Sequence, residues 1–116
     1  SHHQWLIKRK AGLLEERRRE KAEEERKERE RQRKAEQSRI DRLLLEANSF
    51  RLANDIRDYV DSVRRANAAS RDPVASEKID AWTSWALAQA DRVDPVRSKK
   101  FLTSIAETKE APASES

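Results

Sequence analysis

Cysteine is absent, glycine occurs once (Gly12), and the only histidines are His2 and His3. Without cysteine there is no disulfide framework, no thiolate nucleophile and no zinc–thiolate site. The three prolines all follow Arg71, so nothing before Asp72 breaks a helix sharply. No apolar run exceeds a few residues, Trp5-Leu6-Ile7 and Leu43-Leu44-Leu45 among them and Trp85-Ala86-Leu87-Ala88 the longest, whereas a bilayer span needs about 20 residues. No glycine-rich phosphate loop and no Gly-x-Ser-x-Gly elbow occurs, so no catalytic residue, metal site, cofactor or small-molecule substrate is expected. Aromatics are only 5% of a chain that is 41% charged, a balance that without pattern would mean disorder. Here the pattern is helical, which makes the expected fold class all-α.

The apolar residues are concentrated at helical spacing in residues 40–66. One stripe runs Ile40, Leu43, Ala47, Phe50. A second runs Leu45, Leu52, Ile56, Tyr59, Val63, Ala66, with Ala53 and Val60 beside it. At about 100° per residue the two stripes lie roughly opposite one another, and a helix apolar on two sides needs two partners.

Upstream the character changes. Residues 8–39 carry 14 Lys and Arg against 9 Glu, a local net of +5, while the rest of the chain has 12 basic and 13 acidic residues. Glu precedes a base at i,i+4 in Glu15 with Arg19, Glu23 with Lys27, Glu25 with Arg29 and Glu30 with Lys34. Each such pair contributes only about 0.2–0.5 kcal/mol, but several in series hold a helix that has no apolar face. Between Leu14 and Ile40 the only apolar residues are Ala22 and Ala35, too few for the seam of an extended coiled coil. Residues 1–39 are thus expected to be a charged helical arm. Its first residues, Ser1-His2-His3, look like a tag remnant, and the chain reads as the C-terminal part of a longer protein, soluble, without a signal peptide and cytoplasmic by default.

Breakers collect between Asn67 and Pro73, where the long helix should stop. A second helix should start near Pro73 or at Ser76, with Ile79, Trp82, Trp85 and Ala86 on its apolar face. Asp94-Pro95 is a stop-and-restart signal, predicting a third helix over 95–106 with Asp94 as its cap. Residues 40–106 then form a hairpin or three-helix head, and 107–116 a polar, disordered tail. The expected head core is Leu45, Leu52, Ile56, Tyr59, Val63, Ile79, Trp82 and Trp85. A single core of this size is marginal, and self-association is a common remedy. The stripe Ile40, Leu43, Ala47, Phe50 is left for the third helix, for a protein partner or for a second copy.

The Arg/Glu-rich helix, the segment Ile56-Arg57-Asp58-Tyr59-Val60, and Trp82-x-x-Trp85-Ala86-x-x-x-Ala90-Asp91-Arg92-x-Asp94-Pro95 together resemble the C-terminal region of a group of uncharacterised bacterial proteins. That resemblance implies a bacterial source and no particular activity.

Other constellations have simpler readings. Asp55, Asp58 and Asp61 share part of a helical face, but Arg51, Arg57, Arg64 and Arg65 lie within pairing reach. Asp91 is explained by a surface pair with Arg92 or Arg97. The basic clusters, notably Arg17, Arg18, Arg19 and Arg31, Arg33, Lys34, could follow a phosphate backbone, although interleaved glutamates would repel it. The sequence thus points to a non-catalytic helical interaction or spacer module, with nucleic-acid binding by the arm as the alternative and no membrane partner.

Overall fold

The computed structural model describes residues 2–108. They form three helices, α1 (His2–Ala69), α2 (Ser76–Val93) and α3 (Phe101–Ala106), with no strand among the described residues. The fold is all-α. By internal packing the chain divides within α1 into two units, Ser1–Ser38 and Arg39–Ser116.

The upstream unit has no core. Residues 2–29 are all exposed, including Trp5, Leu6, Ile7, Leu13 and Leu14. What supports the helix is good intrinsic propensity and a series of local ion pairs. Glu15 pairs with Arg19 at i,i+4 as expected, at 3.6 Å. Elsewhere the spacing differs: Glu23 pairs with Arg26 at 2.6 Å, Glu28 with Arg31 at 2.7 Å and Glu30 with Arg33 at 2.6 Å, all at i,i+3. The reason is the guanidinium fork. Arg26 and Arg33 each donate from Nε and Nη2 to the two oxygens of one carboxylate, which a lysine cannot do. Lys27 and Lys34 act on the same carboxylates through charge alone.

In the downstream unit the inward positions of α1 are Arg39, Arg42, Glu46, Ser49, Ala53, Ile56, Val60, Val63 and Asn67, all buried or half-buried. Their three-four alternation is that of a helix seam. The first half of this seam is polar and the second apolar. α2 returns antiparallel along the second half, as the pairs Arg64 with Asp80 and Arg57 with Asp91 show. α3 continues in the same direction along the first half, where Glu46 accepts from Ser104 and Arg42 pairs with Glu107.

The core is smaller than the sequence suggests. Ala53, Val60, Ala86 and Ala90 are its buried apolar residues, with Ile56, Val63, Ile79 and Trp82 half-buried around them. Four of the expected core residues, Leu45, Leu52, Tyr59 and Trp85, are instead exposed. Small side chains let two helices approach closely, and the larger ones are then displaced to the flanks of the contact. Ala53 and Val60, placed at the margin of a stripe by the sequence, are its centre.

The connections are fixed by side chains. Asn67 accepts from the Val74 N–H at 2.7 Å and donates to the Val74 carbonyl at 3.4 Å, holding the α1–α2 turn. α2 starts at Ser76 without a side-chain cap. The expected third helix over 95–106 is shorter. Residues 95–100 are turns, and Lys99 at φ 60° occupies the left-handed region that ends a helical segment, so that α3 begins only at Phe101. Glu107 and Thr108 do not belong to a disordered tail: Glu107 is held by Arg42, and Thr108 accepts from Arg39 at 2.9 Å. The remainder of the expected tail lies outside the described residues.

Candidate interaction surface of the helical head

Three of the motif residues behind the sequence resemblance, Arg57, Asp91 and Asp94, meet in one polar cluster. The Arg57 guanidinium donates to Asp94 at 2.8 Å, to Asp91 at 3.0 Å and to Asn54 at 3.0 Å. Asp94 is 3% exposed and also accepts from the backbone N–H of Val96 at 2.9 Å and Arg97 at 3.4 Å. It therefore caps the turn that follows α2, where the sequence predicts the cap of a helix starting at Pro95, and at the same time anchors that turn to α1. Burial opposes ionisation of Asp94, but Arg57 and the two amides outweigh it and hold the carboxyl below its ordinary range. Arg57 is correspondingly raised by Asp94 and Asp91. Arg97 closes the cluster by pairing with Asp91 at 3.3 Å. No buried side-chain polar atom among the described residues lacks a hydrogen-bond partner, and the cluster has the chemistry of a structural clamp.

The carboxylates of Asp55, Asp58 and Asp61 do not gather into a site. Asp61 pairs with Arg65. Of the other arginines expected to serve that face, Arg64 pairs with Asp80 at 3.0 Å, Arg57 reaches α2, and Arg51 donates to Asn48. Among the described residues no group of three or more His, Asp or Glu could hold a metal ion. A concavity of about 390 Å³ beside the α1–α2 turn is lined by Arg64, Asn67, Pro73, Val74, Ile79 and Asp80 and is explained by the turn's own hydrogen bonds. No helix among the described residues is long and apolar enough to cross a membrane.

What is open is apolar. Ile40, Leu43 and Phe50 are 42%, 61% and 43% exposed, and Ala47 between them is exposed too. The third helix, one of the owners expected for this stripe, does not cover it. α3 and the two residues after it seat Ser104, Glu107 and Thr108 on the polar seam at Glu46, Arg42 and Arg39. Arg42 lowers Glu107 by hydrogen bonding against a smaller cost of burial. These α3 contacts were missed by sequence reading, although continuing the Ala53, Ile56, Val60 spacing backwards finds Ser49, Glu46, Arg42 and Arg39 in turn.

A second apolar surface lies on the opposite flank of the hairpin, where Leu45, Leu52 and Tyr59 follow one another at i,i+7. Tyr59 meets the edge of Trp82 with ring centres 6.2 Å apart. In the arm, Arg31 and Arg33 are engaged by Glu28 and Glu30, Arg19 by Glu15, and Arg17, Arg18 and Lys34 are exposed.

These features define an all-α protein with a charged helical unit and a small head built on a polar clamp. No protein-family model, no curated protein and no solved structure matches the chain.

Proposed function

We propose that this chain is a non-catalytic helical interaction or spacer module, in which the head binds a protein through apolar residues its own helices leave uncovered. The observation that supports this reading is the placement of side chains: alanine and valine are inside, while Ile40, Leu43, Ala47 and Phe50 face outward as a stripe. Monomeric proteins expose single large apolar residues routinely, but a row of them on one helix face is a feature of interaction sites. The Arg57 and Arg42 clusters of the head are paired within the chain and serve as scaffold.

The test is photocrosslinking from a benzophenone residue placed at Leu43 in the full chain, with Arg51 as the control position. A discrete protein adduct at Leu43 and none at Arg51 is the expected result. Equal labelling at both positions, or none at either, would overturn the reading.

A second reading is nucleic-acid binding by the upstream unit, favoured by the local excess of base and by the exposed pair Arg17 and Arg18. It predicts duplex affinity that falls steeply with salt and weakens on charge reversal at Arg17, Arg18 and Arg19. Absence of binding at low salt would dismiss it.

A further inference from the structure

The hairpin of α1 and α2 has two unlike flanks. On one, Arg57 pairs with Asp91 and Arg64 with Asp80, so this side is closed by charge. On the other, Tyr59 meets Trp82, and no ion pair among the described residues closes the surface. Leu52 precedes Tyr59 by seven residues and Trp85 follows Trp82 by three, so helical periodicity sets Leu52, Tyr59 and Trp85 on this same flank. They are 53%, 63% and 62% exposed, and Leu45, one further heptad back, is 65% exposed. Taken with the size of these side chains, the exposed fractions amount to on the order of 500 Å² of apolar surface.

We infer that this flank is the contact through which two copies of the chain pair, each hairpin contributing two helices to a four-helix bundle. Three arguments favour a second copy as the occupant. Two such flanks together would bury on the order of 1,000 Å², the lower bound for a specific protein interface. A hairpin closed by alanines has too little core for independent stability, and the aromatic and leucine side chains missing from its interior are those displaced to this flank. The third argument is charge. Asp55 of α1 and Arg92 of α2 border the patch from opposite sides, both exposed and with no ion pair to any described residue. With the two hairpins related by a two-fold axis along the bundle, α1 of one copy lies against α2 of the other. The antiparallel register of Arg57 with Asp91 then carries over to the new contact, bringing Asp55 of each copy level with Arg92 of the other. A self-complementary patch of this kind favours its own copy over a partner of uniform charge.

The inference deepens the interaction-module reading by naming a partner for a different face, and the two are separable by experiment. Sedimentation equilibrium of the full chain is measured for the unaltered protein and for Leu52→Asp, Leu43→Asp, Asp55→Arg, Arg92→Asp and the double exchange Asp55→Arg with Arg92→Asp. Circular dichroism is recorded in parallel. The expected result is a dimer that Leu52→Asp converts to monomer and Leu43→Asp leaves intact. Each single charge reversal weakens it by about tenfold in Kd, and the double exchange restores it. A monomer at about 100 µM, a concentration at which micromolar association would be evident, would overturn the inference while leaving capture of another protein at Leu43 untouched. A dimer lost with Leu43→Asp but not with Leu52→Asp would overturn it too, as would charge reversals without rescue. Should Leu52→Asp lose helicity, the charge exchange on the surface decides alone.

Discussion

The upstream and downstream units use the same residue, arginine, to different ends. In residues 2–38 Arg19, Arg26, Arg31 and Arg33 each reach a carboxylate three or four positions away, so these pairs report only that the chain is helical. In the downstream unit Arg64, Arg57 and Arg42 reach partners 16, 34 and 65 positions away, so each pair specifies which helix lies on which. The difference follows from what surrounds the charge. Arg26 and Arg33 sit on a helix with no apolar neighbours, where a fully solvated pair contributes little. Arg57 lies beside buried Asp94, where leaving either partner alone would strand a charge out of water.

That contrast can be broken most severely at the small-residue contact. Ala90→Leu introduces three heavy atoms where the native side chain is fully buried, and overpacking of this kind costs about 1–3 kcal/mol. The head should open, seen as loss of the cooperative thermal transition, while helicity from residues 2–38 persists. Next in size is Arg57→Met, which keeps the aliphatic stem and removes the charge facing Asp94. It should lower the head's Tm by on the order of 10 °C, checked by thermal denaturation followed by fluorescence of Trp82.

Acid provides a graded version of the same comparison. Asp94, Glu107, Glu23 and Glu30 all have carboxyls held below their ordinary values in the folded chain. A depressed folded pKa means stability present above the unfolded value and lost as pH falls through the folded one. Below about pH 4 the head should lose stability in a cooperative transition and the upstream helix gradually, measurable by far-ultraviolet circular dichroism as a function of pH. The smallest effect is expected for Arg42→Ala, because its pair with Glu107 is more exposed than that of Arg57 with Asp94. A Tm change within about 3 °C and fraying confined to α3 would show in hydrogen exchange at residues 101–107.

Helix content, the stop near Asn67, a restart between Pro73 and Ser76 and a capping role for Asp94 were legible from local propensity and capping chemistry, although Asp94 caps a turn and not the helix expected over 95–106. The identity of the inward face was not. A search for large apolar residues selects Leu45, Leu52, Tyr59 and Trp85, whereas close helix approach selects Ala53, Ala86 and Ala90, which carry no hydrophobic signal of their own. The polar half of the seam was hidden for a related reason: Arg39, Arg42 and Glu46 resemble any solvated charges until Thr108, Glu107 and Ser104 are placed against them. The motif Asp91-x-x-Asp94 with Arg57 likewise has meaning only once the chain has turned back on itself.

Hydrogen exchange followed by mass spectrometry on the full chain tests the central contrast most directly. Amides in residues 53–67 and 79–94 should exchange slowly and together, through opening of the hairpin, while those in residues 8–38 exchange fast and independently of Ala90→Leu. Protection in residues 8–38 equal to that of the hairpin would contradict the account, because it would mean that the upstream helix has a packing partner which its own side chains do not supply.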